Sequence, residues 1–125
     1  MSPGDHSRLE RIDHVQLAIP PGGEDRARNF WITLMGLVEV EKPETLALRG
    51  GAWFESLGIA VHVGVEKDFR PNQKAHPAFV VADLDALALA CVEAGLPVRW
   101  DNEIPGVKRF HTDDPFGNRI EFISS

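Results

Sequence analysis

The chain has 125 residues, 43% of them hydrophobic and 26% charged, with one cysteine and a net charge of −6. That size and apolar content predict one domain whose core needs no covalent staples, and the lone Cys91 excludes an internal disulfide and fits a reducing cytoplasm. The acidic balance argues against a nucleic-acid or anionic-membrane surface; the opening MSPGDHSRLER carries no apolar leader, and no segment approaches the roughly 18 apolar residues of a membrane span.

The first predicted element is a strand, IDHVQLAI (12–19). After a PPGG turn comes a predicted helix, EDRARNFWITLM (24–35), in which Ala27, Phe30, Trp31 and Leu34 form one apolar stripe. Gly36 stands where a glycine closes a helix. GLVEVE, LALRG, AWFES and IAVHVGVE then read as strands, with a Gly-Gly turn at 50–51. KDFRPNQKA (67–75) is polar and reads as a linker. The pattern then repeats. HPAFVV (76–81) is a strand, and LDALALACVEA (84–94) is a helix capped by Asp83, with Leu84, Leu87, Ala88 and Cys91 on its apolar side. Gly95 closes it, and GLPVRW, VKRFHT and RIEFIS follow as strands, the last two joined by the turn DPFGN. The order is read as β-α-β-β-β, twice, with LALRG one strand more than that in the first half. It predicts an α+β fold with module one at about residues 10–66 and module two at about 76–123. Helical crossovers predict mixed sheets with helices on one face only, the other face left concave.

Alternation along each strand sorts the side chains by face. His14 and Gln16 oppose the apolar Val15, Leu17 and Ile19; His62 lies opposite Val61 and Val63; His76 lies opposite Phe79 and Val81; Glu121 lies opposite Ile120 and Phe122. Imidazole and carboxylate together suit a divalent Fe, Mn, Ni, Zn or Co ion. A single strand histidine is more often a hydrogen-bonded core or surface group, but four metal-capable residues on equivalent faces of a duplicated unit point to a metal site. His111 joins that site as an acid/base candidate if the hairpin sets it opposite Glu121; a slip of one residue turns it away. Arg109 shares its face and is a candidate grip for an anionic substrate group. Gln16 is placed to orient a ligand or substrate, and Trp53 to line an aromatic cleft. Cys91, on a helix stripe, reads as core.

IDHVQLAI, NFWITLMGL, AHPAFVVADLDAL and DPFGNRIEF resemble the vicinal oxygen chelate superfamily over about residues 10–123. That superfamily includes glyoxalase I, bleomycin-resistance proteins, extradiol dioxygenases and fosfomycin-resistance enzymes. The resemblance implies two modules curled into an open cup around a metal, usually in a homodimer. Its ligand positions fall on His14, His76 and Glu121, with His62 at the fourth, where glyoxalase I enzymes usually carry a glutamate or glutamine. It implies a small-molecule substrate whose vicinal oxygens chelate the metal, an enediolate or similar oxyanion stabilised as it forms, and Glu121 or a metal-bound water moving the proton. The chain has no tyrosine, which weighs against the extradiol dioxygenases. Glyoxalase-like lyase or isomerase chemistry is the favoured expectation, and a metal-free drug-binding protein of the bleomycin-resistance kind is the alternative.

Overall fold

A computed structural model describes residues 6–125; part of the opening stretch just read for a leader, residues 1–5, lies outside that range. The alternating segments form β1 (Val15–Ile19), β2 (Val38–Val40), β3 (Ala52–Ser56), β4 (Ile59–Val65), β5 (Ala78–Val81), β6 (Arg99–Asp101), β7 (Arg109–Asp113) and β8 (Arg119–Ser124). They make two four-stranded sheets, ordered β1-β4-β3-β2 and β5-β8-β7-β6. In each, the first and last strands of the half pair in parallel and the other pairs are antiparallel. Both halves therefore share one mixed topology, the tandem βαβββ arrangement of an α+β fold.

The second helix, α2 (Leu84–Glu93), starts where Asp83 Oδ1 accepts from the Ala86 amide at 3.1 Å. The first behaves differently from the uniform helix expected over 24–35. It begins as α1 (Glu24–Arg28) and widens into a π-helical stretch, Asn29–Leu34. The Met35 and Leu37 amides reach back to the Phe30 and Trp31 carbonyls at 3.0 and 2.9 Å, and Phe30 and Trp31 are both buried. Gly36 and Gly95 follow the two helices with φ of +82° and +79°, the left-handed conformation that lets a helix end.

A second departure concerns LALRG, expected as a strand. Glu44–Arg49 is a 3-10 helix, entered at Pro43 with the Leu46 amide bonded to the Pro43 carbonyl at 2.8 Å. Strand β3 already has β2 on one side and β4 on the other. The segment has no edge of β3 to join, so it satisfies its amides internally.

The apolar faces of both sheets and both helices meet in a single core that includes Ile19, Trp31, Phe54, Val61, Phe110, Ile120 and Phe122. Each large side chain fully buried there contributes roughly 1.5–3 kcal/mol. Trp31 meets Phe79 edge-on across the two halves, ring centroids 5.9 Å apart. With the core behind them, the opposite faces of the sheets carry the polar residues. Among the described residues no helix is long and apolar enough to cross a membrane.

Candidate metal centre

The register of the second sheet is set by the turn DPFGN. Asp114 Oδ1 accepts from the Phe116 and Asn118 amides at 2.9 and 2.8 Å, closing the turn. The buried Asn118 side chain donates to Asp114 Oδ2 and to the Ala18 carbonyl of β1, both at 2.9 Å, and accepts from the Asn72 amide at 3.0 Å. One asparagine thus ties the turn to the linker and to the other sheet. Burial raises the Asp114 carboxyl above its usual range despite these bonds. With the turn fixed, His111 pairs with Glu121, and Glu121 pairs with Ala78 on its other side. The small Ala78 is Glu121's neighbour in β5, the strand that His76 precedes.

Three side chains converge there. His76 Nε2 lies 2.9 Å and His111 Nε2 3.2 Å from Glu121 Oε1, and the three candidate ligand atoms all lie within 4.8 Å of one another. His111 is 4% and Glu121 6% exposed. The second carboxylate oxygen, Oε2, accepts from Arg109 Nη1 at 3.1 Å, and Arg109 Nη2 donates to Asp101 Oδ2 at 3.0 Å. Arg109, expected to grip a substrate anion, thus has both terminal nitrogens committed to protein carboxylates. Asp101 was not anticipated. Its signal is its register position in β6 opposite Arg109, invisible until the strands are paired.

The electrostatics follow from burial and these contacts. Burial raises the Glu121 carboxyl, but the hydrogen bonds of His76, Arg109 and His111 outweigh it and leave the pKa below its ordinary 4.5. Burial and the Arg119 charge hold the His111 imidazole below its usual 6.5, against the pull of Glu121. The site therefore combines an ionised carboxylate with an imidazole that favours its neutral form.

The donor set fits a divalent cation. An octahedral ion about 2.0–2.1 Å from its ligands sets neighbouring ligands about 3 Å apart, and His76 Nε2 stands 2.9 Å from Glu121 Oε1; His111 at 3.2 Å is within hydrogen-bond reach of the same oxygen. His76 Nδ1 lies 2.7 Å from the Lys74 carbonyl. A carbonyl only accepts, so Nδ1 carries the hydrogen and Nε2 is the nitrogen aimed at Glu121. Two electron-rich atoms facing each other at 2.9 Å require positive charge between them, from a proton or a metal.

The other predicted residues lie on the first sheet. His62 is 8% exposed and sandwiched between His14 and Trp53, ring centroids 4.1 Å away on each side. His14 Nδ1 lies 2.9 Å from Asp13 Oδ2, and Gln16 is the β1 neighbour of His62. Burial, with the His14 and Lys42 charges, pushes the His62 pKa down against Asp13 and Glu55. Within one chain, His14 and His62 do not belong to the His76–His111–Glu121 group.

No protein-family model and no curated protein matches the chain. Solved structures do. A glyoxalase family protein from Bacillus anthracis is 44% identical, covering 95% of this chain and 98% of that one, with a TM-score of 0.89. A glyoxalase/dioxygenase from Nostoc punctiforme is 22% identical, covering 100% and 95%, with a TM-score of 0.72. A variant of the fosfomycin resistance protein FosX from Listeria monocytogenes, complexed with Mn(II) and 1S,2S-dihydroxypropylphosphonic acid, is 13% identical, covering 94% and 93%, with a TM-score of 0.78. The last two share the fold. On the first, with the paired βαβββ topology, the chain belongs to the glyoxalase family of the vicinal oxygen chelate superfamily.

Proposed function

We propose that the protein is a metal-dependent enzyme acting on a small oxygenated substrate, with glyoxalase-like lyase or isomerase chemistry favoured over dioxygenase chemistry. The observation that carries this reading is the convergence of His76 and His111 on one oxygen of Glu121, at 2.9 and 3.2 Å. The Mn(II) held by the FosX variant on the same fold supports it. A bound Fe, Mn, Ni, Zn or Co ion would supply electrostatic stabilisation of a substrate oxyanion as it forms. His76 and Glu121 would hold that ion. Arg109 keeps Glu121 ionised and turns Oε1 toward the histidines. His111, its neutral form favoured by burial, would take and return the proton.

His14 and His62 complete the ligand set across a homodimer in this reading. Both polar faces turn away from the shared core, and among the described residues the His62 nitrogens make no hydrogen bond. A second copy is what can bring the first sheet of one chain to the second sheet of another. The whole chain acts as one domain, in the cytoplasm, as its single cysteine suggests.

The test is metal content of tag-free protein after loading with each candidate ion. Stoichiometric metal in the wild type, lost in His76→Ala, is expected. Mixing His14→Ala with Glu121→Gln protein should restore about a quarter of the sites, since about half the random dimers carry one intact set. A wild type that retains no ion after loading would overturn the metal reading.

A further inference from the structure

With Arg109 committed to Glu121 and Asp101, the cations free to meet a substrate anion lie elsewhere. Lys42, two residues before the 3-10 helix, and Arg49, its last residue, line one cavity of about 220 Å3 on the first sheet, with Gln16, Gly64 and Trp53. Among the described residues no acidic side chain lines it, and neither cation is ion-paired. Most of the 13 basic residues make no ion pair among the described residues; what sets Lys42 and Arg49 apart is that one cavity brings them together. Lys42 is anchored by a hydrogen bond to the Gly50 carbonyl. It also borders an adjoining groove of about 810 Å3 lined by Glu39, Glu41 and Glu44, which Arg49 does not reach.

Gln16 supplies an independent observation. Its amide makes no hydrogen bond among the described residues, and the exposed side chain passes over Gly64. A Cβ at position 64 would stand 2.7 Å from Gln16 Nε2. The glycine leaves room for a donor that the protein itself does not use. Gln16 and Trp53 are the two strand neighbours of His62, so the cavity opens beside the imidazole stack.

We propose that this cavity is an anion subsite, in which Lys42, Arg49 and the Gln16 amide take a carboxylate or phosphonate group carried by the substrate. The charge of the guanidinium and ammonium offsets that of the ligand, and Gln16 adds a directed N–H. The place of this group beside the metal rests on the function proposed above; the binding itself does not.

Backbone NMR of metal-free protein, titrated separately with methylphosphonate, propionate and neutral propionamide, tests it. The amides of Gln16, Arg49, Gly50 and Gly64 should shift with the anions and not with propionamide. The anion bound more tightly identifies the group. Arg49→Gln, an exposed position, should weaken binding roughly tenfold while the signals of the second sheet stay unchanged. Equal response to propionamide, no response to either anion, or unchanged affinity in Arg49→Gln would overturn the subsite. Metal loading of the same samples reports separately on the metal centre, so either reading can fail alone.

Discussion

The two sheets align strand for strand, and their matching positions carry different chemistry. Gln16 pairs with His62, and His62 with Trp53, in the first. Ala78 pairs with Glu121, and Glu121 with His111, in the second. His14 and His76 each stand two residues before the Gln16 and Ala78 positions. Where the second sheet has a carboxylate between two imidazoles, the first has an imidazole between an imidazole and an indole. The carboxylate gathers charge: two histidines and an arginine turn toward it. The imidazole stacks, its faces covered and its nitrogens unbonded among the described residues. One backbone, used twice, thus yields a charged half-site and an aromatic half-site, and the side chain at the centre of each decides which.

The comparison can be broken most severely at the tie between the sheets. Asn118 is fully buried and serves the Asp114 carboxylate, the Ala18 carbonyl and the Asn72 amide. Asn118→Ala strands these groups and should cost about 3 kcal/mol, read as a lower urea midpoint. A smaller effect is expected from Arg109→Met. It frees Glu121 Oε2 to rotate away from the geometry the second sheet imposes. Metal affinity should fall about 10–100-fold in competition with a chelating dye, and an unchanged affinity would remove Arg109 from its positioning role. The smallest effect concerns the stack. The His62 pKa is depressed in the folded state, so the unfolded chain binds its proton more tightly. The resulting stability is present above about pH 6.5 and is lost as pH falls through the folded value. His62→Phe keeps a stacking ring and removes the titration, so its stability should fall less than wild type between about pH 7 and pH 5 in urea titrations.

Much of this was legible in the sequence. The alternation of IDHVQLAI and HPAFVV assigned faces before any strand was paired, because a strand has a period of two. The glycines at 36 and 95 marked both helix ends. LALRG misled because a short apolar alternation looks the same whether or not a sheet edge is free to receive it. The π-helical stretch at 29–34 was likewise unreadable, since α and π turns share their apolar spacing over so few residues. At the site, His76 and Glu121 could be placed on one polar face, but His111 depended on a register that only the folded DPFGN turn fixes. Arg109 was visible as a cation and not as a partner of Asp101, because that pairing joins strands through side chains on neighbouring β6 and β7.

What the sequence by itself determined is the duplicated βαβββ pattern, the inward and outward faces, and the residue types that chemistry requires. These depend on local periodicity, which each segment carries alone. The tertiary structure decided which imidazoles share a carboxylate, where Arg109 spends its charge, and that His14 and His62 form a separate stack. Those outcomes depend on register and on which sheet each strand joins, and both arise from long-range packing around one core.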